Sequence, residues 1–243
     1  GRIKSTNDHI MFVDCADVNN SRDIEPMNGI LKDNYYMQTA NFVKSFKGTA
    51  PRVDVGSNTT IDVNGSFAQW NGTPAKYTDF TEDIADRDCV GYGKIHYGDT
   101  SGRNDFEQMR VAKDADNIYF YVKTRSTITG QGSDQWMNLF IRSGKDGNAN
   151  WEGFDYAINR TAPAGGQMTV EKSTGGWNWE TVGTVSYKLE GNEMMLAVPK
   201  TMLGISADAL VDLQFKWADN CGDGDVMTFY TKGDAAPYGR FTY

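Results

Sequence analysis

Indole rings beside amide and guanidinium groups are the residues of this chain best suited to binding a ligand. Trp177 and Trp179 flank Asn178, and a Gly-Gly pair precedes them. An indole offers a flat apolar platform to the C–H face of a sugar ring, while amides and guanidinium groups can bond its hydroxyls. The combination predicts carbohydrate binding. The predicted contacts are Trp177, Trp179, Trp151, Asn138, Arg142 and Asn159.

The alternative is that these tryptophans belong to the hydrophobic core. Packing is the favoured interpretation for Trp217, which lies between Phe215 and Asn220, and for Trp70 near the start of the β-rich region. For Trp177 and Trp179 we expect exposure, because the Gly-Gly pair before them is typical of a surface loop.

Arg142 has two interpretations from the sequence. It alternates with Met137, Leu139 and Ile141, so it points away from the apolar face of its predicted strand. A guanidinium group there is a rigid fork of donors suited to vicinal hydroxyls or to a carboxylate. The other interpretation is a cross-strand ion pair with Asp155, contributing about 0.2–1 kcal/mol if exposed.

An acidic, glycine-containing loop runs from Ala218 to Asp225. Its side chains Asp219, Asp223 and Asp225 could supply oxygen ligands to Ca²⁺. No glutamate stands where a helix-loop-helix calcium loop requires one, and the alternative is a polar turn between two strands. Calcium is therefore the one cofactor that the sequence suggests, and no organic cofactor is expected.

Composition and motifs argue against several functions. The two histidines, His9 and His96, belong to no recognisable catalytic motif, and no serine-hydrolase elbow, zinc-protease or phosphate-loop pattern occurs. A net charge of −8 disfavours nucleic acid as a partner. No apolar run is long enough to cross a membrane. Three scattered cysteines allow at most one disulfide and do not settle the compartment.

Short strands must position these side chains. The stretch Asp134–Arg160 contains two alternating segments joined by a loop rich in Gly, Asn and Asp. Similar segments with turn signals recur through residues 53–243 at the spacing typical of β-sandwiches. We predict a mainly β fold, an antiparallel β-sandwich of the jelly-roll or immunoglobulin-like kind.

Residues 1–52 have a different pattern. His9–Val13 is a short apolar run that is long enough for one buried strand, and Asp33–Lys47 has the stripe and the capping residues of an amphipathic helix. A long polar loop lies between them. The prediction is a strand-loop-helix segment that docks on the sandwich or on another domain, followed by a linker.

The β-rich part resembles the family 9 carbohydrate-binding-module-like, or DOMON-like, sandwich. The resemblance is carried by Gly65…Trp70, AKDADNIYFYVKT, DQWMNLFIRSG with WEGFDYAINR, LAVPKTMLGI before FKWADN, and the closing GDAAPYGRFTY. It implies a sugar held between two aromatic residues, helped by polar side chains, and often a bound calcium ion. Trp177 or Trp179 would be one clamp residue and Trp151 the other.

The N-terminal segment resembles the last strand and helix of a (β/α)8 glycosidase-like domain. That resemblance implies a preceding catalytic domain in a secreted bacterial glycan-degrading enzyme, so the expected location is extracellular, periplasmic or at the cell surface. The chain itself is expected to be a non-catalytic module binding a polysaccharide or oligosaccharide. The rival is a structural module that packs against the catalytic domain without binding sugar. A DOMON-like haem domain is disfavoured, because both histidines lie outside the predicted sandwich strands.

Overall fold

The computed structural model describes residues 53–79, 81–82, 84, 87–90, 96–226 and 228–243. The strand-loop-helix segment predicted within residues 1–52 lies outside these residues. The division of the chain into 1–52 and 53–243 therefore stays a prediction.

The described residues are mainly β, and ten strands form one antiparallel sheet in the order β1-β4-β5-β10-β9-β8-β7-β6-β11-β12. Strands β2 and β3 form a separate hairpin. The strands are β1 Lys76–Thr78, β2 Arg87–Val90, β3 His96–Asp99, β4 Phe106–Lys113, β5 Asn117–Thr124, β6 Asn138–Arg142, β7 Tyr156–Ile158, β8 Gln167–Gly175, β9 Asn178–Glu190, β10 Glu193–Pro199, β11 Gln214–Asp219 and β12 Asp234–Thr242. Two 3-10 helices, Phe67–Gly72 and Lys200–Leu203, and a short α-helix α1, Thr228–Thr231, complete the described elements. The predicted antiparallel β architecture is confirmed.

Strand β9 makes the sheet continuous. It is 13 residues long, and it pairs with β8 up to Ser186 and with β10 from Tyr187 onward. The sequence predicted a sandwich of two sheets, whereas the two halves here share this one long strand. The sheet curls until its ends approach, and Tyr77 Oη donates to the carbonyl of Thr242 at 2.8 Å. The shape is therefore nearly closed and barrel-like.

The main core lies between the two halves of the curled sheet. Phe120 of β5 meets Phe215 of β11 with ring centroids 5.7 Å apart. Met137, Leu139 and Ile141 belong to this core, as their alternation predicted. Burying each such side chain contributes about 1.5–3 kcal/mol, so the pairing of the halves rests on this apolar contact.

The opposite face of β6 differs from the prediction. Asn138 and Phe140 point away from the core, yet both are buried. Phe140 anchors a second apolar cluster outside the sheet, formed with Trp151, Phe154 and other residues. The face that was predicted to be polar is covered because the loop between β6 and β7 folds back over it.

The two tryptophans assigned to packing are buried. Trp70 lies in a third cluster against β5 and β10, where its Nε1 contacts Met195 Sδ at 3.2 Å. Trp217 is in the main core. No helix among the described residues is long and apolar enough to span a membrane.

Lys216 is a buried cation on the outer face of β11. Its exposure is 3%, its Nζ donates to the carbonyl of Pro237, and it lies 4.8 Å from the centroid of the Phe229 ring. Burial lowers the pKa of Lys216 to about 7, while Cys221, Asp79 and Asp234 act to raise it and Arg240 acts to lower it. In the unfolded chain the pKa of a lysine amine is about 10.4, so Lys216 stays protonated there up to about that pH.

We expect the free energy of unfolding to rise with pH between 7 and 9 because of Lys216. In that window the unfolded chain binds more protons at this residue than the folded protein does. The free energy of unfolding therefore increases by at most about 1.4 kcal/mol per pH unit. The Lys216→Met variant should lose this component and be more stable than wild type at pH 6. Urea denaturation across the pH range measures both effects.

Lys123→Met is the matched control, because Lys123 pairs with Glu107 near the surface. Its pH slope should follow wild type. If the free energy of unfolding of Lys216→Met rises with pH between 7 and 9 as steeply as that of wild type, Lys216 keeps its proton in the folded state.

Candidate functional site

A cluster of aromatic rings packs on the outer side of strands β6, β7, β11 and β12. It is defined here by six rings, and we call it the outer aromatic cluster: Phe140, Trp151, Phe154, Trp177, Trp179 and Phe229. Four elements supply these rings: β6, the loop between β6 and β7, the β8–β9 hairpin, and α1. Apolar rings gathered on the outer side of a sheet are separate from the core that holds the fold together.

The loop between β6 and β7 fixes the centre of the cluster. Trp151 and Phe154 exchange backbone hydrogen bonds of 2.9 and 2.8 Å, which closes a tight turn. Glu152 in this turn has a φ of 49° and Gly153 a φ of 83°, as a reversal this sharp requires. The turn presses Trp151 onto Phe140, with ring centroids 5.4 Å apart.

The three tryptophans contact one another in sequence. Trp151 and Trp177 have centroids 4.5 Å apart, and Trp177 and Trp179 have centroids 5.7 Å apart at an interplanar angle of 87°. Edge-to-face contacts of this kind are favourable and fix the orientation of the rings. Trp151 is only 4% exposed, whereas Trp177 and Trp179 are half-buried. Trp177 and Trp179, for which exposure was expected, are therefore only partly exposed, while Trp151 is buried and supports them from below.

Gly224 makes room for Trp177. A Cβ at position 224 would lie 2.8 Å from Cγ of the indole, and the φ of Gly224 is 104°. The glycine-rich loop after β11 thus serves as a wall against Trp177.

Arg160 lies across the two half-buried tryptophans. Its guanidinium carbon is 4.4 Å from the Trp177 ring centroid and 5.1 Å from that of Trp179. Its Nη1 donates to both carboxylate oxygens of Glu171 at 3.2 Å. Burial lowers the pKa of Arg160, and the Glu171 carboxylate opposes that shift. The result is a cation held between a carboxylate and two π-faces.

Arg160 is not among the contacts predicted from the sequence, because strict alternation places it on the core side. Tyr156 and Ile158 face the main core, and Arg160 has the same parity. Asn159 adopts a φ of 68°, which turns the chain and sends Arg160 to the outer face. An arginine at a core-parity position, directly after an asparagine, was the available signal.

The predicted ligand residues Asn138 and Asn159 lie inside the protein. Asn138 is 1% exposed and Asn159 is 2% exposed. Nδ2 of Asn159 donates to the carbonyl of Trp136 at 2.7 Å, and Nδ2 of Asn138 donates to the carbonyl of Asn159. The two amides join the start of β6 to the end of β7, and the outer aromatic cluster does not present them to solvent.

The predicted ion pair between Arg142 and Asp155 is wrong. Arg142 lies 3.6 Å from Asp146, which is almost fully exposed. Asp155 is buried at the base of the loop, where it accepts hydrogen bonds from the amide of Ser143 at 2.8 Å and from Nδ2 of Asn148 at 2.7 Å. A carboxylate that closes a loop in this way is not available to a guanidinium group on the outer face.

Two of the three residues proposed for calcium are engaged by cationic side chains of the protein. Asp219 is fully buried and accepts from Nε of Arg103 at 2.7 Å and from the amide of Met137 at 2.9 Å. Asp223 accepts from Lys232 at 3.4 Å. Within the described ranges, no group of three His, Cys, Asp or Glu side chains could hold a metal ion. Asp219, Asp223 and Asp225 thus give no support to a role for calcium, because Asp219 is committed to Arg103.

The Glu171→Gln variant should be destabilised by about 1–3 kcal/mol. Removal of the carboxylate leaves the guanidinium of Arg160, which is 19% exposed, without its counter-charge. Urea denaturation at pH 7 measures the loss.

Glu190→Gln is the control, because Glu190 is exposed and its pair with Lys188 should contribute less than about 1 kcal/mol. Equal stability of the two variants would mean that the rings alone hold Arg160.

No family model matches the chain, and no curated protein matches it. Among solved structures, the chain is similar to a proposed carbohydrate-binding protein from Bacteroides uniformis, with 14% identity and a TM-score of 0.31. The match covers 50% of this chain and 66% of that chain. At that TM-score the similarity carries no argument about ligand or mechanism.

Proposed function

We propose that this chain is a non-catalytic carbohydrate-binding module whose ligand lies on the outer aromatic cluster. The observation that carries the proposal is the pair of half-buried indoles, Trp177 and Trp179, held at a fixed angle outside the main core. Rigid aromatic platforms at a surface bind sugars through their apolar faces and lose little conformational entropy on binding.

The surroundings of these indoles supply the polar part of such a site. Arg160 lies over one side of the pair and contributes guanidinium donors at the edge of the surface. Asn178, between the two tryptophans, is exposed and donates to the carbonyl of Gly175 at 2.9 Å. The uncovered parts of the indoles and these donors together offer the mixed contacts that a sugar ring requires.

The wider context is also part of the proposal. The module would serve a secreted bacterial enzyme that degrades glycans, with a catalytic domain preceding it in the natural protein. Its location would be extracellular, periplasmic or at the cell surface. The resemblance to family 9 sandwiches supports this context through the motifs of the β-rich part, and the mainly β fold agrees with it.

A structural packing module is the second candidate. The observation in its favour is that Trp151 is buried and that Arg160 lies over both half-buried indoles. In that case the outer aromatic cluster would stabilise the sheet or face another domain, and no sugar would bind.

Trp177→Ala and Trp179→Ala should each weaken polysaccharide binding at least tenfold, which corresponds to about 1.4 kcal/mol. Each change removes a platform that contacts the sugar directly. A glycan array identifies the ligand, and isothermal titration calorimetry with that ligand measures the loss. Quenching of tryptophan fluorescence by the same ligand gives an independent readout.

Tyr187→Ala is the matched control, because Tyr187 is another half-buried aromatic residue of β9 that packs on Trp136, away from the cluster. It should bind as wild type does. Wild-type affinity in both tryptophan variants, with folding verified by circular dichroism, would favour the packing module.

A further inference from the structure

Two arginines on the outer face of the sheet form a second cationic position beside the outer aromatic cluster. Arg142 ends β6, and its register partner on β11 is Gln214, which in turn pairs with Thr242 of β12. Arg240 lies two residues before Thr242. Both guanidinium groups therefore belong to one corner of the sheet, formed by β6, β11 and β12.

Arg240 is held in a defined position. Its guanidinium carbon lies 4.2 Å from the Phe154 ring centroid, and its Nη2 donates to the carbonyl of Glu152. A Cβ on Gly153 would come within 2.8 Å of both terminal nitrogens, so glycine at 153 admits the side chain. A stacked guanidinium of this kind is an ordered fork for a planar anion.

The register of β6, β11 and β12 brings the Arg142 guanidinium near enough to Arg240 for the two positive charges to oppose each other. Burial lowers the pKa of Arg240, and Arg142 lowers it further, against the opposing effect of Glu152. The partner of Arg142 is Asp146, which is 99% exposed, and such a pair contributes little. A ligand carboxylate at this corner would replace Asp146 and relieve the repulsion.

The outer aromatic cluster connects this corner to the proposed sugar surface. Phe154, under Arg240, contacts Trp151 with centroids 6.4 Å apart, and Trp151 contacts Trp177 at 4.5 Å. Trp151 and Phe154 are buried, so they join the two positions from below. A glycan several units long on Trp177 and Trp179 would have to extend across this part of the outer face to meet Arg240.

We propose that Arg142 and Arg240 form a subsite for the carboxylate of an acidic sugar within a largely neutral glycan. This inference rests on the proposed function of the Trp177–Trp179 surface. Isolated carboxylates are favoured over a polymer charged at every unit, because the net charge of −8 repels a dense polyanion. Two guanidinium groups match one carboxylate by charge-assisted hydrogen bonds.

The test compares acidic glycans with their carboxyl-reduced counterparts, in which each uronic acid becomes a neutral sugar. Glucuronoxylan, partly methyl-esterified pectin and a glucuronic-acid-bearing gum are suitable probes. Wild type should bind at least one acidic form about tenfold more tightly than its reduced counterpart, as measured by affinity electrophoresis and calorimetry. Arg142→Gln and Arg240→Gln should each reduce that preference to about threefold or less without changing the affinity for the reduced form.

Arg125→Gln is the control, because Arg125 is also exposed and pairs with Glu82 elsewhere on the protein. Arg142→Gln is the decisive variant, since Arg142 makes only an exposed ion pair and its loss should not affect folding. Equal binding of acidic and reduced forms by wild type would overturn the carboxylate subsite while leaving the sugar surface in place. Failure of every probe, acidic and reduced, would overturn both proposals.

Discussion

The pairing of β9 along both of its edges is the constraint on which the rest of the structure depends. One 13-residue strand bonds to β8 through its first part and to β10 through its last part. A strand shared in this way obliges the two halves of the sheet to face each other, so their apolar sides bury one common core. One side of each strand then faces the main core, and the outer clusters form on the opposite side.

The same strand begins beside the functional surface. Trp179 is the second residue of β9 and lies opposite Ser173 of β8, while Trp177 directly precedes the strand and forms an isolated bridge with Gly175. Their backbone is therefore held by the sheet, even though their side chains are outside the core. A binding surface on a regular strand keeps a more constant shape than one on a long loop, which suits stacking on a rigid sugar ring. Arg160 adds to this rigidity by joining Glu171 of β8 to both indoles.

Alternation in the sequence predicted the strands and the core side of β6, because period two is a direct consequence of extended backbone geometry. It failed where the backbone leaves the β region. Asn159, with a positive φ, reverses the parity of Arg160, and the turn at Glu152 and Gly153 folds Trp151 under the surface. Hydrophobic periodicity indicates neither the change of direction at Asn159 nor the turn at Glu152 and Gly153.

The residue types of the loops do not show which partners their carboxylates have in the folded protein. The oxygen-rich segment after β11 has the residue types of a calcium loop, yet Asp219 is bound by Arg103, 116 positions earlier in the chain. Likewise, Asp155 closes its own loop instead of reaching Arg142. The sequence identifies the side chains that can bind a cation. Which cation they bind depends on residues that are distant in the chain and are brought close by packing.

The near closure of the sheet has a consequence for solubility. Edge strands with unpaired backbone groups are templates for aggregation, and proteins protect them with short strands, lysine and proline. Here β1 has 3 residues, begins at the exposed Lys76 and follows Pro74. Its Tyr77 bonds the carbonyl of Thr242 in β12, the strand at the other edge. The contact that brings the two ends of the sheet together therefore also occupies the carbonyl of Thr242, one of the backbone groups at which a second copy of the chain could add a strand.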